Sequence, residues 1–256
     1  MDYALLALCF FSFIAGFIDS IVGGGGLVQV PAFFILYPHL AVPYIIGTNR
    51  LASAVGTSVA AWNYARTVSI PWKTVLFAGA MAAIFAYLGA LVQSHLPTYI
   101  LKPTIFFLIV LIAIYTYKNK TFGHEENIQL PHHKIPLYAA LIGGTMGFYN
   151  GCIGPGTGSL LVFGFVSVIG YSFLRASAIS KIVNVTADVF SLIFFFMNKY
   201  IIFHIALPMM ACNVAGSFIG SKMAVLRGNV FVRQVFLVVL IGILLRFGWD
   251  IFKSFQ

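Results

Sequence analysis

Charged side chains are scarce in this sequence of 256 residues. Asp, Glu, Lys and Arg together make up 8% of the chain, whereas 61% of its residues are hydrophobic. Soluble globular domains carry about 25% charged residues, because their surfaces face water. The shortage of charge therefore excludes an ordinary soluble domain and predicts an integral membrane protein that lies in a lipid bilayer.

Cysteine is also rare, and its spacing excludes a metal centre. Cys9, Cys152 and Cys212 are far apart in apolar segments, and none forms a C-x-x-C or Cys/His ligand pattern. The adjacent His132 and His133 lack the i, i+4 spacing and the further ligands that a metal site needs. We expect no disulfide, no metal and no cofactor.

Acidic residues are few as well. Six Asp and Glu stand against fifteen Lys and Arg, so the formal net charge is +9. Such a charge indicates nucleic-acid binding only where the basic residues gather on one surface. Here they are scattered at the ends of apolar segments, which is typical of membrane orientation. The sequence therefore predicts no nucleic-acid partner.

Long polar loops are missing, since the longest, about 118–134, has room for only a short linker. We therefore expect one all-α polytopic domain over residues 1–256. Eight apolar runs approach or exceed the roughly 20 residues of a spanning helix. These runs are 3–22, 44–65, 71–93, 99–117, 136–153, 174–197, 201–222 and 231–252, with two shorter runs at 27–38 and 157–170. The first run lacks a basic n-region and a cleavage site, so we expect it to be retained.

An internal repeat organises the chain. The motif GFIDSIVGGG at Gly16 aligns with GFYNGCIGPG at Gly147, an offset of 131 residues. The same offset pairs Arg50 with Lys181, without a gap. Separate matches at one offset indicate duplication.

The two predicted repeats, 1–118 and 136–256, are joined by a cytoplasmic linker at 119–135. Each repeat has five segments, and an odd number of crossings inverts the second repeat relative to the first. With the linker inside, eight basic residues fall inside and five outside, as the positive-inside rule expects. The inside set is Arg66, Lys73, Lys118, Lys120, Lys134, Lys222, Arg227 and Arg233, and the outside set is Lys102, Arg175, Lys199, Arg246 and Lys253. Both termini are then predicted to be external.

Glycine-rich breaks interrupt apolar segments at matching positions of the repeats. The first break is Gly23, Gly24, Gly25 and Gly26, and the second is Gly154, Pro155, Gly156, Thr157 and Gly158. Broken helices at membrane depth are tolerated where they face protein or a watery cavity. Each following helix would point free N–H groups and a positive dipole end at a ligand, and Thr157 or Ser159 would cap the second one. Two facing breaks predict an anion-binding cradle, with close helix packing as the alternative.

Four charged residues lie inside predicted spans, where each costs about 2.5–3.5 kcal/mol on insertion scales. They are Asp19, Arg50, Lys181 and Asp188. Arg50 and Lys181 are repeat mates, so we expect both cations to approach one central cavity and bind a small anion. The two acids are predicted to balance these cations or to carry a coupling proton. Ion pairs that only lock helices together are the alternative.

Polar residues flank both cations within one helical turn, and their side chains are predicted to hydrogen-bond an oxyanion or to join helices. They are Asn49, Ser53, Ser180 and Asn184. The candidate substrate-binding set is Gly23, Gly24, Gly25, Gly26, Asn49, Arg50, Asn150, Gly154, Gly156, Thr157, Gly158, Lys181 and Asn184, with Asp19 and Asp188 in a coupling or charge-balancing role.

GFIDSIVGGGGL, GTNRLAS, GFYNGCIGPGTGS and SKIVNVTAD resemble the paired signatures of the TauE/SafE family of sulfite-exporter-like membrane proteins. The resemblance implies a secondary transporter of the bacterial plasma (inner) membrane. Its substrate would be sulfite, a sulfonate or a related organosulfur anion, bound near the midplane and moved by alternating access. A proton or Na+ is the candidate coupling ion, and a homo-oligomer is left open. Cys152, beside the second break, is interpreted as a packing residue.

Three other classes of protein are weighed. An anion channel is the main alternative, because glycine-rich re-entrant breaks also build selectivity filters. An intramembrane hydrolase would pair Ser20 or Ser159 with a histidine, but all six histidines fall in loops or at segment ends. A purely structural component would have no reason to keep four charges and two breaks at membrane depth. We therefore expect a transporter and no enzymatic activity.

Overall fold

The computed structural model describes residues 3–93, 123 and 125–254, with side chains except at 93, 240 and 242–254. Within these ranges the chain is helical and contains no strand, as the sequence predicted. The helices are α1 (Tyr3–Val22), α2 (Gly26–Leu36), α3 (Val42–Thr67), α4 (Trp72–Gln93), α5 (Ile135–Cys152), α6 (Thr157–Gly164) with a π-helical turn (Phe165–Ile169), α7 (Phe173–Met197) and α8 (Phe203–Ser254). α8 consists of two helices that meet at Gly228, where the backbone is not helical.

The predicted apolar segments correspond to helices wherever the structure describes them, and the segment 99–117 lies outside the described residues. Four described helices are long and apolar enough to cross a membrane. They are Tyr3–Val22, Trp72–Val92, Phe173–Met197 and Phe203–Val239. α3 and α5 are less apolar, because both bury glycines and polar side chains against neighbouring helices.

Two helix pairs, α1 with α2 and α5 with α6, form hairpins with short return arms. α2 has 11 residues, and α6 with its π turn has 8 and 5. At 1.5 Å per residue these arms are about 17 and 20 Å long, which is too short for a hydrocarbon layer of about 30 Å. The hairpin tips meet, since a methyl group at Gly158 would lie 2.6 Å from Gly23 Cα. Both hairpins therefore end inside the protein.

Each hairpin packs on a helix from the other half of the chain. α1 packs along α8, and α5 packs along α4. Gly16 faces the backbone of Asn213, and Gly147 faces the backbone of Ala82. The two contacts are related by the repeat, because Gly147 follows Gly16 by 131 residues and Asn213 follows Ala82 by the same number. Glycine lets the helix backbones approach closely at both contacts. The halves are therefore interleaved.

The hydrogen bonds of Arg175 contradict one prediction of membrane orientation. Its Nε donates to Ser69 O at 3.0 Å, and its Nη1 donates to both carboxylate oxygens of Glu126 at 2.9 and 2.8 Å. Ser69 lies in the α3–α4 loop and Glu126 in the linker, both assigned to the cytoplasmic side, so the external placement of Arg175 is wrong. The α5–α6 hairpin returns the chain to the side from which it entered, and Asn127 N donates to Gly170 O there at 2.8 Å. With the linker inside, as predicted, the count becomes nine basic residues inside and four outside.

Candidate functional site

The two glycine motifs form the tips of the hairpins. Gly23 and Gly24 have φ angles of 83° and 95°, and Gly154 and Gly156 have φ angles of 85° and 91°. This left-handed region is open to glycine and strained for residues with a Cβ atom. The predicted breaks therefore turn the backbone at both tips.

The prediction that Thr157 or Ser159 caps the helix after the second break is wrong. Gly156 is the N-cap of α6, and Thr157 is already the first helical residue. Thr157 Oγ1 donates to Gly154 O at 2.6 Å, and Ser159 Oγ has no partner among the described residues. The turn requires a left-handed residue immediately before the helix, so glycine occupies the position that a capping hydroxyl would need.

A cavity lies between the two hairpin tips and helices α3 and α7. Its volume is about 40 Å³, in a measure by which one water molecule needs about 10–15 Å³. The predicted site residues that line it are Asp19, Gly24, Gly26, Asn49, Arg50, Asn150, Gly154, Gly156, Thr157, Gly158, Asn184 and Asp188, together with Ser53. Gly23, Gly25, Ser180 and Lys181 are not part of the lining. The fold thus brings most of the candidate set to one small space.

Arg50 extends from α3 to the tip of the hairpin in the other half. Its Nη1 donates to the side-chain oxygen of Asn150 and, at 2.6 Å, to Ser191 Oγ, while its Nη2 donates to Asn150 O at 2.7 Å. A guanidinium group has five N–H donors, so two donors of Arg50 have no acceptor among the described residues. Because Arg50 is 4% exposed and lines the cavity, these two donors can serve an anion there.

Asp188, on α7, is the acid that lies closest to Arg50 among the described residues. Its Oδ1 is 3.5 Å from Arg50 Nη1 and accepts a hydrogen bond from Asn150 Nδ2 at 3.0 Å. Its Oδ2 accepts a hydrogen bond from Asn184 Nδ2 at 2.9 Å. Asn150 therefore bridges the ion pair, because its amide accepts from the cation and donates to the acid.

Lys181, in the second half of the chain, contacts the hairpin of the first half, just as Arg50, in the first half, contacts the hairpin of the second. Its Nζ lies 3.1 Å from Asp19 Oδ2 in the hairpin of the first half. Asp19 also accepts hydrogen bonds from Thr57 Oγ1 and from the backbone N–H of Gly25, both at 3.2 Å. The side chain of Lys181 is fully buried, whereas that of Asp19 is 14% exposed. This pair joins α7 to the first hairpin beside the cavity.

Backbone donors complete the site. At the start of α2, the N–H groups of Leu27 and Val28 donate to the carbonyls of Gly24 and Gly25. The N–H groups of two lining residues, Gly26 and Gly158, have no acceptor among the described residues. Free N–H groups at helix N-termini bind anions well, because the helix dipole places partial positive charge there. The arrangement of Arg50 and these donors is suited to a small oxyanion.

Two further side chains were missed by the sequence analysis as site residues. Ser191 contacts Arg50, and Thr57 contacts Asp19. Helical spacing could have identified both residues. Ser191 follows Asp188 by three residues and Thr57 follows Arg50 by seven, so each lies on the same helix face as that charged residue.

Two of the three residues considered for other chemistry, Cys152 and Ser20, lie in packing contacts. Cys152 is buried, and its Sγ donates to Gly89 O at 3.2 Å, outside the cavity lining. Ser20 Oγ donates to Phe17 O in its own helix at 2.8 Å. Such a bond to the preceding turn is the ordinary way for a serine inside a helix to satisfy its hydroxyl.

We expect Lys181→Met to lower the free energy of unfolding by about 3–5 kcal/mol, because it removes the cation from a buried pair and strands the Asp19 carboxylate. The measurement is the midpoint of thermal unfolding of purified protein in detergent. The double variant Asp19→Asn/Lys181→Met removes both charges and is expected to recover most of the loss. An unchanged midpoint in Lys181→Met would contradict this role for the pair.

Known proteins resemble the chain over nearly its whole length. Probable membrane transporter protein ORF9 of Sinorhizobium sp is 33% identical over 250 residues, which cover 96% of this chain and 93% of that protein. A probable membrane transporter protein of Haemophilus influenzae is 30% identical over 91% of each chain, and YfcA of Escherichia coli is 28% identical over 92% of this chain and 86% of its own. No solved structure matches significantly. The family model described as sulfite exporter TauE/SafE matches residues 8–247, and the chain therefore belongs to this family of membrane transporters.

Proposed function

We propose that this protein is a secondary transporter of small sulfur oxyanions, sulfite or sulfonates, across the bacterial plasma membrane. The proposal rests on Arg50, which lines a cavity between two hairpin tips and has two N–H donors without an acceptor among the described residues. An oxyanion bound there accepts those two hydrogen bonds and receives further ones from the N–H groups of Gly26 and Gly158. Its negative charge is balanced by the guanidinium of Arg50.

Transport proceeds by alternating access between two inverted repeats, 1–118 and 136–256. Support comes from contacts that recur at the 131-residue offset. Arg50 reaches Asn150, and Lys181 reaches Asp19, so each cation contacts the repeat mate of the residue that the other contacts. Related helix pairs that can rock against each other around a fixed site are the usual basis of this mechanism.

The linker faces the cytoplasm and both termini face outward in this proposal. The positive-inside rule supports it, since nine basic residues then lie inside and four outside. Two cytoplasmic cations also stack on aromatic rings, with Arg66 4.2 Å from the centroid of Trp62 and Lys222 4.2 Å from that of Phe218. Aromatic and basic residues are typical of the membrane interface.

Counterflow tests this function. Proteoliposomes loaded with unlabelled sulfite are given radiolabelled sulfite outside, with sulfate, taurine and sulfoacetate as competitors. We expect transient accumulation of label above its equilibrium level, because a carrier exchanges one bound anion for another. Flux that never overshoots equilibrium and does not saturate would identify a channel, and the absence of any flux through folded protein would overturn the proposed substrate class.

A further inference from the structure

The cations of the two buried ion pairs, Arg50 and Lys181, occupy equivalent positions in the two halves, yet they differ in their access to the cavity. Lys181 is fully buried and outside the lining, and its Nζ lies 3.1 Å from Asp19. Arg50 and Asp188 both line the cavity, and their closest atoms are 3.5 Å apart. The cation Lys181 is therefore closed off from the cavity and only its partner Asp19 reaches the lining, whereas both members of the Arg50 pair face the space into which a ligand enters.

Asp188 makes its side-chain hydrogen bonds to residues other than Arg50, so another anion can replace it as the partner of Arg50. Its two oxygens accept hydrogen bonds from the amides of Asn150 and Asn184. No hydrogen bond joins it to Arg50, whose Nη1 is occupied by Asn150 and Ser191. The acid therefore neutralises the guanidinium through proximity, and the two open donors of Arg50 stay available to another anion.

The charges around the cavity sum to zero while no anion is bound. The charged groups that face Asp188 from the packed elements are Arg50 on α3, and Asp19 on α1 with its partner Lys181 on α7. A bound oxyanion adds a negative charge beside Asp188 and competes with it for Arg50. An unpaired guanidinium in the protein interior is strongly unfavourable, so the empty site requires Asp188.

We propose that Asp188 is the built-in counter-ion of Arg50 in the empty transporter, and that the transported anion takes over this role when it binds. The inference rests on the proposed function and deepens it. Asp188 lets the empty protein change its direction of opening without a bare buried charge. Exchange of one anion for another never passes through the empty state, whereas net transport must do so.

Asp188→Asn removes the counter-ion with almost no change in shape. The Asn184 amide can turn its oxygen toward the new Nδ2 group, which keeps the hydrogen bond between residues 184 and 188 and gives up the one that Asn184 Oδ1 accepts from Asn150 Nδ2 at 3.2 Å. The matched control is the double variant Asp188→Asn/Asn184→Asp. It restores one carboxylate a single helical turn away, at a residue that also lines the cavity. If Asp188 acts through its shape and hydrogen bonds, both variants should be impaired. If it acts through its charge alone, the double variant should recover.

The first arm of the test needs no knowledge of the substrate. Thermal unfolding of the wild type and both variants is measured in detergent with sodium chloride and with sodium gluconate at equal ionic strength. Chloride is small enough to reach the bare guanidinium, so it is expected to raise the unfolding midpoint of Asp188→Asn by about 3 °C or more relative to gluconate. The wild type and the double variant should show little difference. Equal chloride responses in all three proteins would overturn the proposal.

The second arm compares net uptake with exchange of labelled sulfite in proteoliposomes. In Asp188→Asn the ratio of net uptake to exchange is expected to fall by about tenfold or more, since only net uptake requires the empty protein to reorient. The double variant should recover the ratio. An unchanged ratio in Asp188→Asn would contradict the counter-ion role. If the wild type exchanges none of the tested anions, the proposed substrate class fails and the chloride measurement still decides the role of Asp188.

Discussion

Arg50→Ala is expected to reduce sulfite counterflow by about 100-fold or more, because it removes a buried cation together with its hydrogen bonds to the anion. The measurement is the initial rate of labelled exchange, normalised to folded protein in the vesicles. Lys222→Ala is the matched control. It removes a cation that is exposed and stacks on Phe218, away from the cavity, and it should leave the rate unchanged.

Arg50→Lys separates the charge of Arg50 from its donor geometry. Lysine keeps the positive charge beside Asp188 but has three donors instead of five, and the two oxygens of Asn150 with that of Ser191 would take all three, which leaves none for an anion. We expect thermal stability near that of the wild type and exchange reduced by about tenfold or more. Normal exchange by a folded Arg50→Ala protein would refute the assignment of Arg50 to the anion site.

Gly23→Ala is expected to prevent assembly of the two hairpin tips. The added methyl group would overlap the backbone of Gly158, and Gly23 also has a φ angle of 83°. Overlap with a backbone cannot be relieved by turning a side chain. We expect a loss of about 3–5 kcal/mol in unfolding free energy, from steric overlap and backbone strain together. The yield of monodisperse protein and the unfolding midpoint measure this loss.

Gly228→Ala is the matched control for backbone strain. Gly228 also has a positive φ angle, 68°, but no atom lies within 4 Å of the position of an added methyl group. Its substitution therefore tests the conformation alone, with an expected loss of about 1–3 kcal/mol. Gly23→Ala should be clearly the more damaging variant and should also abolish transport. Equal losses in the two variants would show that the contact between the tips is unimportant.

Much of the candidate site could be predicted because the sequence repeats itself. Gly23 to Gly26 and Gly154 to Gly158 break apolar segments, and Arg50 and Lys181 place a cation at the same position of each half. These features are local or depend on sequence offset, so they are visible without coordinates. Arg50, Asp19 and Asp188 line a cavity, whereas Lys181, which was expected to approach the same cavity as Arg50, is not part of its lining, and the role of these residues in binding an anion stays a prediction.

Other features depend on how the chain returns on itself. The placement of Arg175 required knowledge that α5 and α6 form a hairpin, which brings residue 175 back to the linker. The N-cap of α6 depended on a left-handed turn that only glycine adopts easily, and the hydroxyls nearby suggested another residue. Each of these errors came from a backbone path that composition does not reveal.

The sequence by itself determined the membrane class, the helical segments, the duplicated breaks and the presence of four buried charges. Hydropathy and glycine act through the local free energies of burial and backbone conformation, which depend on residue type. Only the tertiary structure decided how the charges pair. It pairs Lys181, outside the cavity lining, with Asp19 on it, and it places both Arg50 and Asp188 on the lining. The difference arises because electrostatic interactions depend on distance and burial, and those are set by how α3 and α7 pack against the two hairpin tips.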